Sequence, residues 1–518
     1  MSLKDTSAGQ QLAIAGAAVS SIITLMSLKY HDRPLFYEHI KDIPFIKGYP
    51  LVGNLPTLIK NIGRRLDYVV ELYEKTGALT ITLPAAGLPR QILTIDPRNI
   101  EHILKTNFSN YVKGPKFNDV MQDLLGHGIF NANGDQWKWQ RKTASHIFNV
   151  KNFRDQFTDV FVKELHLMCD RILDKAVNDG SIIDFQDIMF RFTLDSFVYL
   201  GFGTELNSLL KDGKVEFAES FDFLQRRCAE RFSDPTMKYK ERFSSLFFRK
   251  EHTASYNIKV VDTFAQQVIE KRRKEIASGE TSHKDLLSRF MEAKNENGEP
   301  LNDKELRDTV LNFIIAGRDT TAQALSWLFY NISLQPRIER KMLEEIEKYM
   351  TDELENDSSA LYQAINEMSY LHAVPRFFET LRLHPSVPGN QKYALEDDVW
   401  PDGTFVKAGT YVSWNPYAQG RNKNVWGDNA KEFYPERWLD ENGNLKRENA
   451  GKWPAFHAGP RICLGQNLAT LEALVCVSML LRRYSFTLVS NQTITYGISL
   501  THPMKNGMKM FVEKRQRA

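Results

Sequence analysis

The pattern of hydrophobic and polar positions opens with an uninterrupted apolar stretch near the N-terminus. The seventeen residues from Leu12 to Leu28 carry no charge, which is at the short end of the length that spans a bilayer. Four positive charges follow this stretch: Lys29, Arg33, Lys41 and Lys47. Because positive flanks stay on the cytosolic side, the pattern predicts an uncleaved membrane anchor over residues 1–30. A cleaved signal peptide and a helix lying on a membrane surface are the alternatives.

Short β-like segments follow the anchor. Prolines restrict residues 31–56, which predicts a stiff hinge with neither helix nor strand. Alternating apolar positions from Leu79 to Leu83, a turn, and a second apolar segment ending at Ile95 predict a β-hairpin. Two later segments, residues 400–414 and 486–512, are also predicted to be β-structure.

Most of the remaining chain is predicted to be helical, and its longest helix has an unusual centre. The helix runs from Asn302 to Ser333, roughly 48 Å at the rise of an α-helix, and its apolar middle predicts that it crosses the core. Residues 316–321 within it read Ala-Gly-Arg-Asp-Thr-Thr. A threonine hydroxyl there can bond the carbonyl one turn back and bend the helix. The carboxylate of Asp319 is costly at this depth unless it is paired or has a function.

A second distinctive segment, residues 456–465, reads Phe-His-Ala-Gly-Pro-Arg-Ile-Cys-Leu-Gly. Gly459 and its following proline predict a turn, and a helical apolar pattern begins after Cys463. Cys463 is therefore predicted where a turn enters a helix, and the unpaired N–H groups there stabilise a thiolate. Gly459 and Gly465 flank the sulfur without a Cβ, which would let a flat group approach, and Arg461 can reach an anion beside it. A buried structural cysteine is the alternative.

Composition and charge exclude some classes of function. The chain has 518 residues, 42% of them hydrophobic, which is enough for a large core. A net charge of +3 is too small to indicate a nucleic-acid-binding protein. Four widely spaced cysteines without a Cys-x-x-Cys pair argue against a disulfide scaffold or a zinc knuckle. The arginine cluster Arg226, Arg227 and Arg231 is interpreted as a solvated helix face, with a partner for a substrate carboxylate as the alternative.

Two pairs of side chains are expected to share helix faces. Trp137 and Arg141 are one turn apart in a helix that Asp135 is expected to cap, and their N–H groups together suit one carboxylate. An ordinary amphipathic pair is the alternative. Glu379 and Arg382 have opposite charges three positions apart among aromatic residues, which predicts a buried and fully satisfied pair.

The pattern Phe-x-x-Gly-x-Arg-x-Cys-x-Gly at residues 456–465 resembles the haem-ligand signature of the cytochrome P-450 family at all of its fixed positions. Ala316 to Thr321 resembles the oxygen-binding groove of that family. Glu379 and Arg382, completed by Arg437, resemble its structural Glu-x-x-Arg motif.

The resemblance implies a mainly α fold, the cytochrome P-450 fold, with a large helical domain and a small β-rich lobe over residues 57–518. It implies that haem b (iron-protoporphyrin IX) is the cofactor and that Cys463 is the ligand of its iron. The residues implied to hold the haem are Trp137, Arg141, Lys392, Phe456, Arg461 and Cys463. Asp319 and Thr320 are implied to be catalytic, as a proton relay to dioxygen.

The function implied is that of a haem-thiolate monooxygenase, which inserts one oxygen atom of O2 into a C–H bond of a lipophilic substrate. Its electrons are implied to come from a separate NADPH-dependent flavoprotein reductase, and nucleic acid is not an expected partner. Residues 123–130, 192–196 and 397–409 resemble fungal and plant hydroxylases acting on the terminal carbon of fatty acids or alkanes, so ω-hydroxylation of long-chain fatty acids is the function predicted.

Three alternatives to this function stay open at the sequence level. One is a monooxygenase of another lipophile, such as an alkane, sterol, terpenoid or xenobiotic. Another is a haem-thiolate hydroperoxide isomerase or dehydratase, against which the Asp319–Thr320 pair argues. The third is a non-catalytic haem or lipid binder. Residues 31–56 resemble the proline-rich hinge of microsomal members of the family, which implies a place in the endoplasmic reticulum membrane with the catalytic domain facing the cytosol. Four glycosylation motifs are then expected to be unmodified, those at Asn107, Asn331, Asn356 and Asn491.

Overall fold

A computed structural model describes residues 3–146, 156–247, 249–279, 285–295, 298–351, 353–368, 375–442, 445–446 and 448–516. Its α-helices are Leu3–Lys29, Leu55–Lys60, Arg65–Thr76, Pro97–Glu101, Pro115–Leu125, Gly134–Ser145, Thr158–Met168, Asp174–Asp179, Phe185–Phe202, Glu216–Ser233, Met237–Phe247, Ala254–Ala277, Leu286–Glu292, Asp303–Ile314, Thr320–Ser333, Pro336–Tyr349, Ser358–Glu367, Pro375–Leu383, Pro416–Gly420, Lys423–Trp426 and Gln466–Arg483. Its strands are β1 Thr80–Thr82, β2 Gln91–Thr94, β3 Tyr111–Val112, β4 Ile183–Asp184, β5 Asn390–Ala394, β6 Asp398–Val399, β7 Phe405–Val406, β8 Tyr411–Trp414, β9 Tyr484–Leu488 and β10 Lys509–Lys514.

The strands form small sheets beside a mostly helical body. One sheet has the order β1-β2-β8-β5-β3, a second has the order β4-β10-β9, and β6 pairs with β7. The predicted hairpin is confirmed, because β1 and β2 are antiparallel with Thr80 opposite Thr94. The mainly helical class with a small β-rich part is confirmed as well.

The prediction of β-structure over residues 486–512 is correct at the two ends of that range and wrong between them. β9 and β10 pair antiparallel, but residues 489–508 form turns and isolated bridges. Asn491 has a φ of +62°, a value foreign to a strand, and Pro503 has no N–H to donate to a ladder. Over residues 400–414, the strands are the short β7 and β8.

The long helix is the central element of the core, and it contains the irregularity that its sequence predicts. Asn302 caps it, accepting from the Glu305 N–H while the Glu305 side chain accepts from the Asn302 N–H. Its first part, Asp303–Ile314, is α-helical, residues Ile315–Asp319 form a π turn, and Thr320–Ser333 is α-helical again. A π turn inside an α-helix often marks a functional position.

The N-terminal helix differs from every core helix in its exposure. Residues Gly9–Lys29 have a mean hydropathy of 1.7, and none of this stretch is buried against the rest of the protein. By length and composition, this helix is able to cross a membrane. The segment after it contacts the body: Phe45 forms a β-bridge with Thr82, and the Asn54 amide donates to the Ile46 carbonyl at 2.8 Å.

One predicted helix cap is wrong. The helix Gly134–Ser145 begins after Asn133, and Asp135 lies inside its first turn, where its carboxylate accepts from Lys138 at 2.9 Å. The Asn133 side chain accepts instead from the Lys113 N–H at 3.1 Å. The helix therefore starts two residues before the position that an Asp135 cap predicts, and its first residue, Gly134, has a φ of +55°.

Candidate active site

Cys463 lies in the predicted place, between a turn and a helix. Gly459–Arg461 form a single 3-10 turn, and the Cys463 N–H donates to the Phe456 carbonyl at 2.9 Å. The helix Gln466–Arg483 begins after Gly465. All four cysteines are free, but Cys463 is exposed whereas the other three are buried.

Two opposing effects act on the Cys463 thiol. Desolvation by the protein around it raises its pKa, while the backbone N–H of Gly465, the Arg141 guanidinium and the backbone N–H of Gln466 each lower it. These donors stabilise the thiolate, which is the form that binds a metal. Cys463 is thus placed to give its sulfur to an iron ion.

The expectation for Gly459 needs correction. Its φ is +61°, and a Cβ there would lie 2.1 Å from the Leu104 carbonyl oxygen. Gly459 therefore lets the turn approach another backbone segment, not a ligand. Gly465 matches the expectation better, because among the described residues the only atom within 4 Å of an added Cβ would be the Cys463 sulfur, at 3.9 Å.

Arg461 and Trp137 are brought together by this turn. The Arg461 guanidinium lies over the Trp137 ring, 4.3 Å from its centre, and donates to the Ala132 carbonyl at 2.8 Å. Burial, and then the Arg141 charge, lower the pKa of Arg461 to about 10. Arg141 faces the same region. Burial lowers the pKa of Arg141, and the nearby Cys463 charge acts in the opposite direction. Three of the predicted haem-binding side chains thus converge around Cys463.

Lys392 joins this group from strand β5. It is 1% exposed, and its Nζ has no hydrogen-bond partner in the part of the chain that the structure describes. Burial, followed by the charges of Lys113 and Arg461, lowers its pKa well below the usual value. A buried amine without a partner is costly, so this arrangement is suited to an anion.

Lys113 is a further member that the sequence reasoning missed. Burial and the Arg461 charge lower its pKa to about 7. The residue precedes the helix Pro115–Leu125 in the segment Tyr-Val-Lys-Gly-Pro, whose pattern does not distinguish it from a surface lysine. Four positive charges therefore lie close together: Lys113, Arg141, Lys392 and Arg461.

The residues present fit haem b. These four cations would pair with its two propionates. The buried Lys392 amine, which lacks a partner among the described residues, would gain one from such an anion. Cys463 would provide the iron ligand. Phe456 packs with Trp453, with ring centres 5.8 Å apart, directly before the cysteine turn.

Asp319 and Thr320 form a second group on the long helix. The Thr320 hydroxyl donates to the Ala316 carbonyl at 2.7 Å, as predicted for a threonine at this position. Phe197 packs so closely on Gly317 that an added Cβ would lie 1.9 Å from its ring. Gly317 is therefore required by packing on that side of the π turn.

The buried Asp319 carboxylate is hydrogen-bonded on both of its oxygens. Its two oxygens accept hydrogen bonds from Arg318 at 2.9 Å and from the Gln225 amide at 2.5 Å. Arg318 also donates to Asp222 at 2.6 Å. Burial raises the pKa of Asp319 to about 6, and the Arg318 charge opposes it. A carboxyl group that titrates near neutral pH is suited to holding and releasing a proton.

Glu379 and Arg382 form the predicted buried pair. Arg382 donates two hydrogen bonds of 2.7 Å to Glu379, which also accepts from Arg437 at 3.1 Å and from the Trp438 indole at 2.9 Å. The Arg382 guanidinium also reaches the carbonyl of Glu432 at 2.9 Å. These contacts tie the helix Pro375–Leu383 to the loop that leads to Cys463.

The interpretation of the arginine cluster as a solvated face is wrong for Arg231. That side chain is buried and donates to Glu241 and to Asp123, each at 2.7 Å. Two carboxylates already neutralise it, so it is not available to a substrate carboxylate. Arg226 is 62% exposed at its side chain and fits the solvated face.

The sequence model of the family described as Cytochrome P450 matches residues 43–508. The chain belongs to the cytochrome P450 family. It is 37% identical over 505 residues to cytochrome P450 704B1 of Arabidopsis thaliana, covering 90% of this chain and 94% of that protein. It is 36% identical over 532 residues to the cytochrome P450 monooxygenase cyp1 of Mycosarcoma maydis, covering 97% and 82%. It is 38% identical over 512 residues to cytochrome P450 86B1 of Arabidopsis thaliana, covering 96% and 88%.

Membership of the P450 family confirms the predicted fold, enzyme class and cofactor, and the plant and fungal relatives are consistent with a microsomal type. P450 proteins bind haem b through a cysteine thiolate, and they are oxidoreductases that act as monooxygenases. When bound, haem supplies the redox chemistry that activates dioxygen. The family also implies a lipophilic substrate and a redox partner.

Proposed function

We propose that this P450 hydroxylates the terminal carbon of long-chain fatty acids. The observation that carries the proposal is the likeness of residues 123–130, 192–196 and 397–409 to hydroxylases of that kind. The identity to cytochrome P450 704B1, 86B1 and the cyp1 monooxygenase extends over nearly the whole chain, which supports a common plan for the substrate cavity.

The position of residues 123–130 against the long helix supports a place for them near the site. The His127 N–H donates to Asp308 at 2.8 Å, and the Phe130 N–H donates to Asn312 at 3.1 Å. Both acceptors lie on the long helix, one or two turns before Ala316. This segment is therefore fixed beside the part of the long helix that leads to Thr320.

Each site residue is proposed to act as follows. Cys463 holds the iron, and Trp137, Arg141, Lys392 and Arg461 hold the propionates, with Phe456 against the porphyrin. Thr320 and Asp319 are the catalytic pair. The Thr320 hydroxyl holds a proton close to the π turn, and the Asp319 carboxyl, whose pKa lies near 6, accepts and returns protons from the solvent side.

The Asp319–Thr320 pair also favours a monooxygenase over a hydroperoxide isomerase. Reduction of dioxygen consumes protons, whereas an isomerisation of a hydroperoxide consumes none.

We further propose that residues 1–30 anchor the protein in the endoplasmic reticulum membrane and that the body faces the cytosol. The exposed apolar helix and the positive charges that follow it support this topology. The electron donor would be an NADPH-dependent flavoprotein reductase of the same membrane. Expression in a eukaryotic host followed by glycosidase treatment tests the topology, because a glycan on Asn107, Asn331, Asn356 or Asn491 would contradict it.

The substrate is tested by spectral titration of the purified holoenzyme. Fatty acids of graded chain length are compared with a sterol and an alkane, and products are then identified by mass spectrometry in the presence of reductase and NADPH. The proposal predicts saturable binding of long-chain fatty acids and terminal alcohol products. Preferential binding of the sterol or alkane, or turnover of hydroperoxides without NADPH, would contradict it.

A further inference from the structure

A line of buried polar side chains joins Asp319 to the loop between β9 and β10. The Gln225 amide, on the helix Glu216–Ser233, donates to Asp319 Oδ2 at 2.5 Å. The Thr501 hydroxyl donates to Gln225 Oε1 at 3.5 Å and accepts from Gln323 Nε2 at 2.8 Å. Gln323 Oε1 accepts from the His502 N–H at 2.7 Å. All four of these side chains are at most 5% exposed.

The direction of donation along this line is fixed at its two ends. A backbone N–H can only donate, so the His502 N–H turns the oxygen of Gln323 towards itself and the nitrogen of Gln323 towards Thr501. The Thr501 oxygen accepts there, so its proton can point to Gln225 Oε1 at 3.5 Å or to the Ser499 hydroxyl at 3.4 Å. At the other end of the line an ionised carboxylate can only accept, so Gln225 presents its nitrogen to Asp319 and its oxygen to the Thr501 hydroxyl.

Asp319 is thus held by two groups that can only donate hydrogen bonds to it in this arrangement. Arg318 has no acceptor atom, and Gln225 has its amide nitrogen on Asp319 and its amide oxygen beside the Thr501 hydroxyl. Both carboxylate oxygens accept hydrogen bonds, which fixes the carboxylate plane and favours the ionised form. The side chain of Asp222, which shares Arg318 with Asp319, is 53% exposed and brings this pair to the protein surface.

We propose that Gln225 and Thr501 are positioning residues for the reaction, and that they hold the Asp319 carboxylate in the orientation that serves the proton relay. This inference rests on the proposed role of Asp319 and deepens it. Because Gln225 belongs to the helix Glu216–Ser233 and Thr501 to the loop between β9 and β10, a displacement of either element changes the hold on Asp319. Proton delivery is thereby made to depend on how these two elements are placed.

The test uses substitutions that keep shape and remove hydrogen bonds. Gln225→Met preserves the length of the side chain, and Thr501→Val preserves its branching. Asp319→Asn and the double variant Gln225→Met/Asp319→Asn complete a cycle, because residues that act through one another give non-additive effects. Ser220→Ala is the matched control, a buried polar residue on the same helix as Gln225.

Two quantities are measured on holoenzymes whose reduced, CO-bound spectra show full haem loading. The first is product formed per NADPH oxidised, with the purified reductase. The second is the pKa of Asp319, from the carboxyl C=O band that is lost in infrared spectra of Asp319→Asn. The charged groups facing Asp319 are Arg318 on its own helix and Asp222 on the helix Glu216–Ser233, and both are kept in every variant.

The inference predicts that Gln225→Met lowers coupling about 3- to 10-fold, a part of what a relay group contributes. It also predicts that the pKa of Asp319 rises, because the carboxylate loses a donor. Thr501→Val should change both quantities in the same direction by less, and Ser220→Ala should change neither. The double variant should couple no worse than Asp319→Asn alone.

Three results would overturn the inference, and they separate it from the proposed function. If Asp319→Asn impairs coupling but Gln225→Met leaves coupling and the carboxyl band unchanged, the relay stands and the positioning role is wrong. If the losses in the double variant multiply, Gln225 acts independently of Asp319. If Asp319→Asn itself couples normally, the relay is wrong and the positioning role falls with it.

Discussion

The Thr320 hydroxyl donates to the Ala316 carbonyl at 2.7 Å, across the π turn of the long helix. The carbonyl of Thr320 in turn accepts from the Ser386 hydroxyl at 2.8 Å. Thr320 is therefore held on both its side chain and its backbone, close to the neighbouring Asp319. This arrangement places a hydroxyl group at the one interruption in the core helix.

Thr320→Ala is expected to retain haem but to divert reducing equivalents from product to hydrogen peroxide, because the hydroxyl that holds the proton is lost. Product and peroxide per NADPH oxidised are the measurements. Ser326→Ala is a matched control, since Ser326 makes the same bond to the Ala322 carbonyl, at 2.7 Å, in the regular part of the helix. Undiminished coupling in Thr320→Ala would remove Thr320 from proton delivery.

Lys392→Met is expected to have opposite effects on the two forms of the protein. Removal of a buried, unpartnered amine should stabilise the haem-free protein, whereas loss of a charge-assisted contact to a propionate should weaken haem retention by about tenfold or more. Thermal unfolding of the haem-free form and haem transfer to a competing apoprotein measure these effects. Lys407→Met, an exposed lysine of the same β-rich part, should change neither. Unchanged haem transfer in Lys392→Met would exclude Lys392 as a haem-binding residue.

Glu379→Gln is expected to destabilise the protein by about 3–5 kcal/mol, because it leaves Arg382 and Arg437 without their shared carboxylate in a buried site. The effect should appear as a low yield of haem-loaded protein and a lower unfolding temperature. Glu436→Gln is the control: it breaks a more exposed pair with Arg337, which is worth about 1 kcal/mol at most. Equal effects of the two substitutions would show that the buried cluster contributes no more to stability than the exposed pair does.

His502→Phe is expected to make the protein more resistant to acid. Burial lowers the pKa of His502 to about 3, so the unfolded chain binds a proton between pH 3 and the ordinary histidine value and the folded chain does not. The free energy of unfolding is therefore unaffected by this group above about pH 6.5 and decreases as the pH falls below that value.

Unfolding temperatures measured from pH 7.5 to pH 5 test this prediction. Phenylalanine keeps an aromatic ring beside Trp327, whose ring centre lies 5.2 Å from that of His502. The variant should lose less stability on acidification than the parent protein. His252→Gln, at an exposed histidine, should follow the parent, and parallel pH curves for His502→Phe and the parent would contradict the assignment.

Much of the fold could be predicted because its signals are local. The capping box at Asn302, the π turn around Gly317 and the turn before Cys463 depend on residues within one or two helical turns. The loop over residues 489–508 could not be predicted, because its conformation depends on partners far away in the chain. Gln323 and Gln225, which fix Thr501, are examples.

Site residues could be predicted where the side chain is unusual for the local sequence, and they were missed where the local sequence is ordinary. A charged Asp319 in an apolar helix and a Cys463 between two glycines are conspicuous in the sequence. Lys113 is not, since a lysine before a proline-initiated helix is ordinary until the fold buries it near Arg461. Gln225 is likewise an unremarkable helix residue until the helix Glu216–Ser233 brings it to Asp319.

The proposed oxygen chemistry depends on a bond between the Cys463 thiolate and haem iron. The most direct measurement is the carbon monoxide difference spectrum of the reduced, purified protein, compared with that of Cys463→Ala. We expect the thiolate-type spectrum for the parent protein and its loss in the variant. A parent protein that stays colourless after haem is supplied, or a variant that keeps the thiolate-type spectrum, would contradict it.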